Sequence, residues 1–138
     1  MRNTLAGYLA FLVAAVAAPA VAQAASPTCD GESSMAPQPG ITVVRSGSGH
    51  SATLTRTDAD GTIHLEQHGR DHAALAVQSG DGSKLVIEQR GASAEAEVTQ
   101  GGGCNATELA QSGKGNRAMV SQSGSGNRVV VRQGPSKE

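Results

Sequence analysis

Aromatic side chains are almost missing from this 138-residue chain: Tyr8 and Phe11 are the only Tyr and Phe, and there is no Trp. Both stand in an N-terminal stretch with the features of a secretory signal. Arg2 supplies a positive charge, Leu5 to Val16 is apolar around Gly7, and Ala22-Gln23-Ala24 sets small residues at the cleavage positions, so cutting is expected after Ala24. The apolar stretch is short for a membrane span, and no later segment resembles one. The expected mature chain, residues 25–138, therefore has no Phe, Tyr or Trp. Ordinary domains draw much of their buried area from aromatic rings, so this lack, with 18 Gly, argues against a conventional globular core. It also weakens nucleic-acid or sugar binding, which relies on stacking platforms. A net charge of -1 gives no pointer toward DNA. Cysteine is scarce too. Cys29 and Cys104, in an oxidising export compartment, either form one disulfide or remain free or intermolecular thiols; their separation is not a metal-site spacing.

What is present is a repeat. Glutamine recurs every 11 residues at Gln67, Gln78, Gln89, Gln100, Gln111, Gln122 and Gln133, and the same register runs back to Arg56 and Arg45. Two positions after each marker stand Gly47, Asp58, Gly69, Gly80, Gly91, Gly102, Gly113 and Gly124, and five positions after the last markers stand Asn105, Asn116 and Asn127. Each unit reads as a Gly-rich turn followed by about six strand residues, with Gly and Asn supplying the positive φ of a tight turn. The strand residues alternate as a half-buried strand should. Asn116, Ala118, Val120 and Gln122 fall on one face, and Arg117, Met119 and Ser121 on the other.

A longer period lies over the first. The first mid-strand inward position is Ala52, Ala74, Ala96 and Ala118 in alternate units, and Ile63, Leu85, Thr107 and Val129 in the units between. The full repeat is thus a pair of units, a small-core strand facing a larger-core one, over turns 45–66, 67–88, 89–110 and 111–132, with Ile41 and Val43 as a half-turn in front. This predicts an all-β, two-sheet β-solenoid over 41–133 with stacked Gln ladders, ~19 Å tall at the usual strand spacing. A buried amide is costly unless paired, and a ladder pairs it. Uncapped end strands are templates for a further copy, so cross-β, amyloid-type polymerisation is expected.

At this point the residues resemble the curlin family, the subunits of curli amyloid fibres, whose motif is S-x5-Q-x-G-x2-N-x-A-x3-Q. Ser83, Gln89, Gly91, Ala96 and Gln100 match it with Ala94 in place of Asn; Gln111, Gly113, Asn116, Ala118 and Gln122 match it with Asn105 in place of Ser. The resemblance spans about residues 41–133. The first turns depart from it: Arg45 and Arg56 replace Gln, and His50 and His72 replace Asn. The resemblance implies secretion as an unfolded chain through an outer-membrane curli channel with its accessory factors. It further implies nucleated assembly on the cell surface, with itself or another curlin subunit, for adhesion and biofilm matrix. The family holds a major fibre subunit and a minor nucleating one. Residues 25–40, with Pro27, Pro37 and Pro39, lack a strand pattern and are expected to be disordered, a leader where the resemblance puts docking to the secretion machinery. Residues 134–138 form a tail.

Asp58, Asp60, Asp71 and Asp81 crowd the early turns and are expected to act as gatekeepers by stacking like charges. The turn at 111–132 is expected to nucleate assembly. His50, His64, His68 and His72 offer metal-ligand side chains, yet no Cys or carboxylate completes a tetrahedral set; they are read as substituted ladder positions, with His68 in a turn and His50 stacking near His72. No nucleophilic elbow, Cys–His pair or phosphate loop appears, so neither enzyme activity nor a cofactor is expected. Asn105-Ala106-Thr107 fits a glycosylation sequon, a chance match in a bacterial export product. The outward column Thr53, His64, Leu75, Val86, Glu97, Glu108, Met119 and Val130 is too irregular for an ice-binding lattice. A non-polymerising secreted binder of the same shape is the remaining alternative.

Overall fold

The computed structural model describes residues 40–135; the expected signal peptide, nearly all of the leader, including Cys29, and the last three tail residues lie outside them. Nine strands follow one another: β1 Gly40–Ser48, β2 Ser51–Arg56, β3 Thr62–Arg70, β4 Ala73–Gln78, β5 Lys84–Ala92, β6 Glu95–Gln100, β7 Ala106–Lys114, β8 Arg117–Gln122 and β9 Arg128–Gln133. Odd strands form one parallel sheet in the order β1-β3-β5-β7-β9, and even strands form the second in the order β2-β4-β6-β8. The fold is a two-sheet β-solenoid of about four turns.

Every ladder pairs residue i with residue i+22, as in Ile63 with Leu85, Ala74 with Ala96 and Gln89 with Gln111. This register follows from the sequence. Units of constant length let each strand return above itself, and a slip by one residue would turn every apolar side chain outward. The interior is aliphatic: Ile63, Leu65, Leu85, Ile87 and Leu109 from one sheet meet Ala74, Ala76, Ala96, Val98, Ala118 and Val120 from the other. Each large aliphatic side chain so buried contributes about 1.5–3 kcal/mol. Small residues on one sheet let the two approach without aromatic filling. The end layers lack a neighbour among the described residues, so Ala52, Leu54, Val129 and Val131 are only partly buried.

Two details differ from the reading of the sequence. In the odd strands the glycine two places after the marker lies within the strand span, not in a turn: Gly47, Gly69, Gly91 and Gly113 pair with one another in register. They are left-handed, with φ of +118°, +126°, +113° and +104°. A Cβ on Gly69 or Gly91 would overlap the carbonyl oxygen of the glycine one turn on, so the close stacking itself requires glycine. The asparagine column is not left-handed. That conformation falls one residue earlier, at Gly49, Asp71, Gly82, Ser93, Cys104, Gly115 and Gly126, with φ between +55° and +74°. Asp71 (+57°), Ser93 (+55°) and Cys104 (+59°) hold it without being glycine.

Candidate assembly site: amide columns and open rims

The alternation of each strand carries its marker Gln inward, between the sheets. In the odd-strand sheet four of them form one continuous column. Gln67 Nε2 donates to Gln89 Oε1 at 2.9 Å, Gln89 Nε2 to Gln111 Oε1 at 3.1 Å, and Gln111 Nε2 to Gln133 Oε1 at 2.9 Å. The second amide proton goes across to the other sheet: Gln67 to Ser51 O (3.2 Å), Gln89 to Ala73 O (3.0 Å), Gln111 to Glu95 O (3.1 Å) and Gln133 to Arg117 O (3.0 Å). Each carboxamide therefore ties one turn to the next and one sheet to the other. Gln67, Gln89 and Gln111 are at most 1% exposed, and pairing is what makes their burial tolerable.

The even-strand sheet is different. Gln100 Nε2 donates to Gln122 Oε1 and to Thr107 Oγ1, both at 2.8 Å, and Thr107 donates to Gln122 Oε1 at 2.6 Å. Thr107 occupies the core position that Ile63 and Leu85 hold in earlier turns, so its hydroxyl is the added partner. Gln78 is as buried as the rest, but among the described residues neither its Nε2 nor its Oε1 has a hydrogen-bond partner. The series of seven thus splits into a four-membered column, a pair bridged by threonine, and an isolated Gln78.

Two further columns, one on each edge, run through the position five after each marker. Asn105 Nδ2 donates to Gly101 O at 3.0 Å, Asn116 Nδ2 to Ser112 O at 2.7 Å, and Asn127 Nδ2 to Ser123 O at 2.8 Å, in each case the carbonyl four residues back. Asn105 Oδ1 accepts from Asn127 N–H at 3.0 Å, one turn on. His50 and His72 do the same work. His50 Nε2 lies 3.2 Å from Ser46 O and His72 Nε2 lies 3.1 Å from His68 O, while His72 Nδ1 accepts from Ala94 N–H at 3.2 Å. That pattern places the His72 proton on Nε2. Both Asn and neutral His carry a donor and an acceptor at the right reach. The two rings stack, 5.1 Å apart and 5° from parallel. Ser83 is a shorter variant, donating to Gly102 O at 3.1 Å and accepting from Asn105 N–H at 3.2 Å.

Residues 105–134, which contain all three asparagines and the last three ladder glutamines, match the family model of the curlin associated repeat. The likeness is to the curlin repeat, over 30 of the chain's 138 residues. The match supports the curlin family, on the turn where Gln111, Gly113, Asn116, Ala118 and Gln122 carry the motif. Neither the curated proteins nor the solved structures hold a match to the chain.

The other singled-out residues separate. Gly80, Gly102 and Gly124 sit in the connections after the even strands, with φ of +100°, +91° and +90°. Cys104 is disulfide-bonded at a left-handed position; Cys29, the other cysteine of the chain, is not among the described residues. His68 lies in β3, not in a turn, and its Nε2 approaches Glu66 at 3.7 Å on the outer face. Among the described residues no three His, Cys, Asp or Glu side chains converge on a metal-sized space. The aspartates do not stack, because none of Asp58, Asp60, Asp71 and Asp81 lies one full turn from another. Asp58 pairs instead with Arg56 at 3.3 Å, and Arg56 also donates to Gly61 O at 2.6 Å, closing the first wide connection. The outer face carries short ion pairs, Arg117–Glu95 at 3.4 Å and Arg132–Glu108 at 3.0 Å. Exposed pairs of this kind contribute little.

Among the described residues, both ends of the solenoid are open. β1 and β2 end the two sheets on one side, and β8 and β9 end them on the other. Ile41 and Val43 pair with the buried Ile63 and Leu65, yet are 45% and 42% exposed because no described strand lies beyond them. The left-handed column at Asp71, Ser93 and Cys104 went unread in the sequence; its signal was glycine at Gly49, Gly82, Gly115 and Gly126 in the same frame.

Proposed function

We propose that this protein is a structural subunit of extracellular curli-type amyloid fibres, working by nucleated self-assembly in cell adhesion and biofilm matrix. It is a scaffold and not a catalyst. The observation that carries the reading is the pair of open rims, whose inward apolar residues and strand backbones have no partner on one side among the described residues. A parallel sheet edge of this kind recruits a further strand by main-chain hydrogen bonds. The partners are further copies, another curlin subunit, and the outer-membrane secretion channel with its accessory factors. Residues 1–24 act as the export signal, and 25–40 as the leader that engages the channel.

The test is growth of purified residues 25–138 followed by thioflavin fluorescence, with and without preformed fibres. A lag phase shortened by seeds is the expected result. A chain that stays monomeric through prolonged incubation overturns the proposal and leaves a secreted solenoid binder. The departures Arg45 and Arg56 at one rim favour a second reading, the minor nucleating subunit. That reading predicts that trace amounts of this chain abolish the lag of a separate curlin, whereas its own fibres elongate poorly.

A further inference from the structure

We infer that copies of this chain join end to end with a half-turn about the long axis, so that β8 and β9 of one copy receive β1 and β2 of the next. The inference rests on the self-assembly reading above and specifies the joint.

The nine strands of the described residues divide as five and four. Successive strands alternate between the sheets, so the slot that follows β9 lies in the even-strand sheet, beside β8. An incoming copy placed without rotation sets its β1 beside β9 and its β2 one strand spacing too far from β8, leaving an empty strand slot about 4.8 Å wide. Rotated by half a turn, its β1 fills the slot beside β8 and its β2 lies beside β9. Both sheets then continue without a gap.

The chain is suited to this exchange because its two edges are built alike. Every unit has the same length, and where β1 would follow β8 the same two positions are left-handed, Gly47 (+118°) and Gly49 (+72°) in one copy and Gly124 (+90°) and Gly126 (+74°) in the other; the β2–β3 connection, with Asp58 and Asp60 at these places, is the exception. In the half-turn register Arg45 meets Gln122 of the preceding copy, Gly47 meets Gly124, and His50 meets Asn127. The apolar layer closes as well. Ile41 and Val43 cover Ala118 and Val120, while Ala52 and Leu54 cover the partly buried Val129 and Val131. Without rotation Ala118 and Val120 face the empty slot, and Ala52 and Leu54, paired with β4 on one side, face it from the other.

The experiment uses fibres of the whole chain carrying Val44→Cys with Ser121→Cys, treated with a short thiol-to-thiol linker and mapped by mass spectrometry of the linked peptides, so that links to Cys29 or Cys104 are separable. These outward positions are neighbours across a half-turn joint and lie on opposite faces of the solenoid otherwise. Covalent multimers joined through 44 and 121 are expected. The pair Val44→Cys with Arg132→Cys, neighbours only in the unrotated joint, is expected to lose them; Thr55→Cys with Arg132→Cys reads the second half-turn contact and is expected to link. Linking of 44 to 132, or fibres with no link at any pair, overturns the inference. If the unaltered chain forms no fibres, the self-assembly reading itself has failed.

Discussion

Gln89 and Gln78 occupy equivalent markers and are both fully buried, so replacing each by leucine isolates what the amide column is worth. Gln89 takes part in three hydrogen bonds: it accepts from Gln67 and donates to Gln111 Oε1 and Ala73 O. Leucine has a similar volume, so the packing change is small, but Gln111 Oε1 and Ala73 O lose their amide donor in the interior. At about 1 kcal/mol for each bond lost, Gln89→Leu should destabilise the monomer by about 3 kcal/mol. Gln78 makes no hydrogen bond to the described residues through either amide atom. Burial of an unpaired amide costs about 1–3 kcal/mol in proteins, so Gln78→Leu should be neutral or stabilising by up to ~2 kcal/mol. The assay is urea unfolding of freshly prepared monomer by circular dichroism, comparing midpoints at constant slope. Equal losses for the two variants would refute the reasoning, since burial and not amide pairing would then govern the position.

Arg45→Gln should lengthen the column by one member, because Gln67 Oε1 has no donor among the described residues. The restored bond lies within the chain, between neighbouring strands β1 and β3, so the expected gain is about 1 kcal/mol in monomer stability, read as a higher urea midpoint; an unchanged midpoint counts against it. Gly91→Ala should cost at least about 3 kcal/mol, given φ of +113° and overlap with the Gly113 carbonyl oxygen, against about 1 kcal/mol for Gly115→Ala, where φ is +69° and no heavy atom lies within 4 Å. Thermal unfolding of the two variants checks the order. The hydrogen bond from His64 holds the Glu66 carboxyl below its ordinary value of 4.5, with His68 and Arg90 adding to it. A depressed carboxyl contributes stability that is complete above its ordinary value and is lost as the pH falls through the lowered folded value. Glu66→Gln should therefore flatten that acid limb by losing the contribution at neutral pH, with the two proteins converging at low pH, which an acid unfolding titration reads.

The architecture was legible in the sequence because its cause is local and periodic. The even spacing of Gln, with Ala52, Ala74, Ala96 and Ala118 alternating against Ile63, Leu85, Thr107 and Val129, contains the strand faces, the turn-on-turn pairing and the two sheets. What was not legible depends on neighbours in space. The left-handed column was masked by Asp71, Ser93 and Cys104, whose side chains give no sign of φ. The isolation of Gln78 could not be read from a column of identical letters. The aspartates looked crowded in sequence, but the fold spreads them over different stacking lines. His50 and His72 were readable as replacements for Asn; the reason, a donor and an acceptor at matching reach, needed the geometry of His68 O and Ala94 N.

Each strand pairs only with the strands one full coil before and after it in the chain, and this makes length a modular quantity. Excising one whole coil from the middle, for example 67–88, would rejoin chemically equivalent positions and leave a shorter rod with the same cross-section. A cut slightly shorter or longer than that would throw every later side chain out of phase with its column. Evolution and the engineer can therefore edit such a chain cheaply only in whole coils, or in half-coils at the cost of trading which broad face each downstream segment presents.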